Sequence, residues 1–107
     1  MMMLTKHEEL ILLSICKLKE NAYGIPIRKN IMDITDKPIN YGSLCNTLYA
    51  LVKKGYIESR ESEPLAQKGG RRKVIYSLTT DGRKALKHSF EVYQQSWKEV
   101  PKFVFEG

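Results

Sequence analysis

A chain of 107 residues, 42% of them hydrophobic, can build one modest core and not two. Its charged fraction of 28% is ordinary for a folded domain and excludes wholesale disorder. A net charge of +6 and a pI near 9.4 point to a polyanionic partner such as nucleic acid, or to a membrane surface, against the bland alternative of charge that only keeps the chain soluble.

The first predicted helix covers residues 6–19. Thr5 and Glu8 have capping-box spacing just ahead of an apolar run. Leu10, Ile11, Leu12, Leu13, Ile15, Cys16 and Leu18 cover nearly the whole wheel, leaving Ser14 and Lys17 as polar interruptions. A helix apolar all round is buried on more than one side, and a chain this small is expected to cover only one side from within. A second copy of the chain is therefore expected on the other. Asn21 to Gly24 makes a turn, and Pro26 fits a first helical turn, where its missing N–H costs nothing. Ile27, Ile31 and Ile34 define the inner face of a second helix that ends near Asp36, before Lys37-Pro38.

A third helix is predicted from Tyr41 to a stop at Gly55. Leu44, Leu48, Leu51 and Val52 form its inner face; Gly42, Ser43, Asn46, Tyr49, Ala50 and Lys53 form its outer one. After Gly55 the period changes to alternation. A strand is expected through Tyr56 and Ile57 to Glu61, and a second from Lys73 to Leu78. The segment between them, with Pro64 and Gly69-Gly70, is too rich in turn residues for a helix. Thr79 to Gly82 offers caps for a last helix, along which Leu86, Phe90, Tyr93 and Trp97 make a heptad-like seam before Pro101 ends it.

Helices two and three read as a helix-turn-helix, and the hairpin that follows is the wing of a winged helix. The fold class is α+β, mainly helical: a winged helix-turn-helix with a C-terminal dimerisation helix. Residues 1–79 would form the winged-helix DNA-binding domain and 80–107 the dimerisation helix and tail, within one compact unit. The slim polar face of the third helix suits a major groove about 12 Å wide. Lys68, Arg71, Arg72 and Lys73 on the hairpin supply cations for phosphates or a minor groove.

Other classes have less behind them. Cys16 and Cys45 form no C-x-x-C; Cys16 lies in an apolar run and Cys45 in a helical pattern, so both are expected as buried free thiols in a reducing cytoplasm. His7, His88 and these thiols are scattered, so no metal and no cofactor are expected. There is no nucleophile elbow, phosphate loop or paired-carboxylate motif, which argues against an enzyme. Glu8 and Glu9 fit better as first-turn charges facing the helix dipole. The leading Met residues lack the basic and long apolar regions of a signal peptide, and the apolar stretch at residues 10–13 is too short for a bilayer. A cytoplasmic protein without membrane contact is expected.

Several segments taken together carry a family resemblance. Ala22-Tyr23-Gly24-Ile25, Asn40-Tyr41-Gly42-Ser43-Leu44, Thr47-Leu48-Tyr49, Lys54-Gly55-Tyr56-Ile57 and the run from Gly70-Arg71-Arg72 to Asp81-Gly82 resemble the PadR family of bacterial transcriptional regulators. The resemblance spans roughly residues 8–98. It implies a winged-helix homodimer whose C-terminal helix packs on the partner, including the partner's first helix. It also implies repression at a pseudo-palindromic operator in double-stranded DNA, and release by a small aromatic or planar effector. The chain departs from the family where Leu44-Cys45-Asn46-Thr47-Leu48 stands in place of the frequent Leu-Tyr-Pro-Thr-Leu, and where Ala50 replaces a common basic residue.

The expected DNA contacts are Tyr41, Ser43, Asn46, Tyr49 and Lys53 on the third helix and Lys68, Arg71, Arg72 and Lys73 on the wing. Ser43 and Asn46 would read bases, Asn46 by paired hydrogen bonds to adenine, and the cations would hold the backbone. Tyr49 could equally pack on the second helix, and Lys73 could be no more than a strand-edge charge. Leu12, Ile15, Leu86, Phe90, Tyr93 and Trp97 are the expected dimer interface or effector pocket, an aromatic dimer core being the simpler of the two. Two alternatives stay open: a winged-helix protein–protein adaptor that binds no DNA, and a metal-responsive winged-helix regulator. An adaptor should present an exposed apolar patch on the third helix and wing.

Overall fold

A computed structural model describes residues 3–62 and 73–107. The elements run α1 (Lys6–Leu18), α2 (Gly24–Thr35), α3 (Tyr41–Lys53), β1 (Ile57–Glu61), β2 (Val74–Leu78) and α4 (Thr80–Ser96), with short 3-10 turns at Lys19–Asn21 and Lys102–Phe105. This is the mainly helical winged helix-turn-helix that the patterning predicts. The loop cations Lys68, Arg71 and Arg72 lie outside the described residues.

The helix starts follow from capping chemistry. At α1 the Glu8 amide donates to Thr5 Oγ1 at 3.1 Å, and the Thr5 amide donates back to Glu8 Oε1 at 2.9 Å. At α3 the Ser43 amide donates to Asn40 Oδ1 at 3.0 Å, and at α4 the Gly82 amide donates to Thr79 Oγ1 at 3.0 Å. α2 ends on Asp36 in the left-handed region, and Gly55 takes φ +80° just past α3. The strands pair antiparallel, with Ile57 opposite Leu78 and Glu61 opposite Val74. The Tyr76 amide adds a bond to the Ala22 carbonyl at 2.8 Å, tying β2 to the chain ahead of α2.

The core joins Ile11, Leu12 and Ile15 of α1 to Ala22, Ile27, Ile31, Leu44, Leu48, Leu51 and Ile57. α1 is the central helix and touches α2, α3, β2 and α4. One subunit therefore covers more of α1 than its apolar wheel suggested. Ile11, Leu12 and Ile15 are fully enclosed, while Leu10, Leu13 and Leu18 stay partly exposed. Leu12 and Ile15 have no surface left for a partner, which corrects the expectation that they line a dimer interface. Ser14 is buried as well: its hydroxyl donates to the Leu10 carbonyl at 2.9 Å and accepts from Asn30 Nδ2 at 2.7 Å, pinning α1 to α2.

Two further expectations are corrected. Cys16 and Cys45 are both exposed, because each lies on the side of its helix turned away from the core. Ile34 is exposed too, because the last turn of α2 runs past the core. α4 also outruns it. The radius of gyration is 16.1 Å, against about 13 Å for a compact chain of this length.

Candidate nucleic-acid interface

α3 is held from both ends and from beneath. Leu44, Leu48 and Leu51 are fully buried, which fixes the rotation of the helix and turns Ser43, Asn46, Tyr49 and Lys53 outward. Beneath its start, Arg28 Nε donates to the Ile39 carbonyl at 2.8 Å and braces the α2–α3 turn. At its far end, Lys54 Nζ donates to Glu8 Oε2 at 2.6 Å. Burial alone would raise the Glu8 carboxyl, but the Lys54 hydrogen bond, the Thr5 amide and the Lys54 charge outweigh it and leave the pKa below its ordinary value. Glu8 was read as a dipole charge; its partner, 46 residues away, is invisible to local spacing.

The outward face holds most of the expected α3 contacts. Ser43 and Asn46 are exposed. Tyr49 is 63% exposed, and the Lys53 ammonium lies 4.9 Å from its ring centre. Tyr41 differs. Its ring lies across Gly24 so closely that any side chain there would strike the hydroxyl. Burial, and then the neighbouring Cys45, push the Tyr41 pKa up. Tyr41 thus seats the start of α3 against the start of α2, a role its place in the motif did not reveal. Tyr76 stands in the same group, its pKa raised by burial and then by Cys45 and Tyr41.

The wing root meets this group. Lys73 is more than a strand-edge charge: its Nζ donates to Tyr23 Oη at 3.1 Å and sits 4.2 Å from that ring's centre. Tyr23, Tyr41, Cys45, Tyr76 and Lys73 line a cleft between α2, α3 and β2. Beside it Ile25 and Val74 are exposed.

The other expected site divides. Leu86 packs partly buried against the core, whereas Phe90, Tyr93 and Trp97 are exposed. Phe90 and Tyr93 stack at 6.3 Å, Tyr93 and Trp97 lie 5.9 Å apart, and Phe105 lies 5.7 Å beyond Trp97. Among the described residues, no cluster of His, Cys, Asp and Glu could hold a metal ion. No described helix is long and apolar enough to cross a membrane.

Comparisons with known proteins agree with this geometry. The chain resembles a transcriptional regulator from Clostridium thermocellum, with 30% identity, a TM-score of 0.71, and coverage of 92% of this chain and 89% of that one. It also resembles a PadR family transcription regulator from Clostridium difficile, with 25% identity, a TM-score of 0.71, and coverage of 96% and 100%. RosR from H. salinarum aligns with 26% identity and a TM-score of 0.68, over 92% of this chain and 82% of that one. No curated protein matches the chain by sequence. The family model described as the transcriptional regulator PadR-like family matches residues 12–88, and the chain belongs to that family.

Proposed function

We propose that the protein binds operator DNA as a homodimer and represses transcription until a small aromatic or planar molecule releases it. The observation that carries this reading is the two-sided character of α3. Its inner face is locked by Leu44, Leu48 and Leu51, while Ser43, Asn46, Tyr49 and Lys53 stand free for a major groove. Asn46 reads adenine, Ser43 assists, and Lys53 and Lys73 meet phosphates together with Lys68, Arg71 and Arg72. α4 pairs the two copies, and its Phe90, Tyr93 and Trp97 supply flat faces for an effector. A symmetric dimer calls for a pseudo-palindromic site with half-sites about one helical turn apart.

The test is a gel-shift titration against the promoter of the protein's own operon, followed by selection from random duplexes. Selective binding at physiological salt supports the reading. Failure to bind any duplex at low salt defeats it and favours a protein–protein adaptor. That second reading has one observation behind it: Ile25, Tyr41 and Val74 place exposed apolar surface beside α3 and the wing root.

A further inference from the structure

No residue of the turn at Lys102–Phe105 is buried. The chain leaves α4 at Ser96, reverses through Glu99 at φ +61° and closes a 3-10 turn, with the Val104 amide bonded to the Pro101 carbonyl at 3.2 Å. Phe105 meets Trp97, yet Phe103 remains 70% exposed, Val104 49% and Phe105 68%. On α4 itself Phe90 is 57% exposed, Tyr93 49% and Trp97 48%.

These fractions decide what the surface is for. At roughly 150–250 Å² per aromatic side chain, the three α4 rings expose about 350 Å². The tail exposes about as much again. The α4 rings alone are no more than many monomers tolerate, since a largest patch of about 300–600 Å² is usual. Together the two halves reach about 700 Å², close to the roughly 800 Å² that each partner contributes to a stable interface.

We propose that the tail residues Phe103, Val104 and Phe105 form an arm of the dimer interface, clasping the second copy of this chain alongside the α4 rings. The occupant is a second copy because the exposed area matches what each half of a stable dimer supplies, and because Phe105 continues the line of rings without a break. The inference rests on the homodimer reading above and adds to it the segment that completes the contact.

Sedimentation equilibrium on the full chain, Phe103→Ala and Phe103→Ala/Phe105→Ala separates the outcomes. Both side chains lie outside the core, so the variants keep the wild-type circular dichroism spectrum. The expected result is a dimer dissociation constant raised about tenfold by the single variant and further by the double. Phe103→Ala is the sharper arm, because Phe105 also packs on its own Trp97. A dimer whose dissociation constant moves less than twofold in both variants overturns the clasp and leaves the homodimer standing. A wild-type chain that stays monomeric at every concentration overturns both.

Discussion

The pair between Glu8 and Lys54 links the start of α1 to the end of α3, and its worth can be worked out. Glu8→Ala removes the acceptor of the Thr5 amide at 2.9 Å and of Lys54 Nζ at 2.6 Å. Half of a capping box is worth about 0.5–1 kcal/mol. A charge-assisted hydrogen bond is worth about 1.5–3 kcal/mol when enclosed. Here the Lys54 side chain is 40% exposed and that of Glu8 only 10%, so solvent screening brings the ion-pair share to about 1 kcal/mol. Glu8→Ala should therefore cost about 2 kcal/mol, Lys54→Met about 1 kcal/mol, and a double-mutant cycle should return a coupling of about 1 kcal/mol.

The assay is urea unfolding at fixed protein concentration, because dimerisation would shift the midpoint by mass action. Its pH dependence has a definite sign. The folded pKa of Glu8 lies below its ordinary value of 4.5. The stability it confers is thus fully present above about 4.5 and is lost as pH falls through the folded value. The gap between wild type and Glu8→Gln should be widest at neutral pH and should narrow as the pH falls below 4.5. A coupling below about 0.3 kcal/mol, or a gap that does not narrow on acidification, refutes the reasoning.

Asn46→Ala should cost about 1–3 kcal/mol of discrimination at one base pair per half-site and leave affinity for random duplex unchanged, as measured by competition gel shift on a selected operator. Arg71→Ala with Arg72→Ala should flatten the salt dependence of binding, lowering the log–log slope by roughly two or more for a dimer; an unchanged slope removes the wing from the contact. Gly82→Ala would drive a methyl group into the Tyr56 carbonyl, which should cost about 2 kcal/mol in thermal or urea unfolding.

The elements were legible because each carries local chemistry. Thr5 with Glu8, and Thr79, announce helix starts, and each makes the expected cap. The outward side of α3 was legible for the same reason, since Leu44, Leu48 and Leu51 fix one side and so define the other. What escaped depends on partners distant in sequence. The apolar wheel of α1 gave no sign that α2, α3, β2 and α4 would all gather around it within one copy. That surplus of apolar surface lies instead at the end of α4 and in the tail. Tyr41 was named as a contact residue by its place in the motif, and that place gave no sign of its close approach to Gly24, which also makes it a spacer between two helices. Cys45 looked buried because it lies within a helical pattern, yet it falls on an exposed side of the helix.

The junction at Gly55, Tyr56 and Gly82 has a mechanical meaning. Thr79 Oγ1 donates to the Gly55 carbonyl at 2.5 Å, its amide bonds the Tyr56 carbonyl at 3.1 Å, and Gly82 lets the first turn of α4 lie flush on that same carbonyl. The chain leaving α3 and the chain entering α4 are thereby welded at a fulcrum. α4 is a lever of roughly 25 Å at its usual rise per residue. A tilt of about 5° at the fulcrum sweeps its far end through roughly 2 Å over that length. Were two copies to pair through α4, the same tilt would change the distance between their α3 helices by a similar amount.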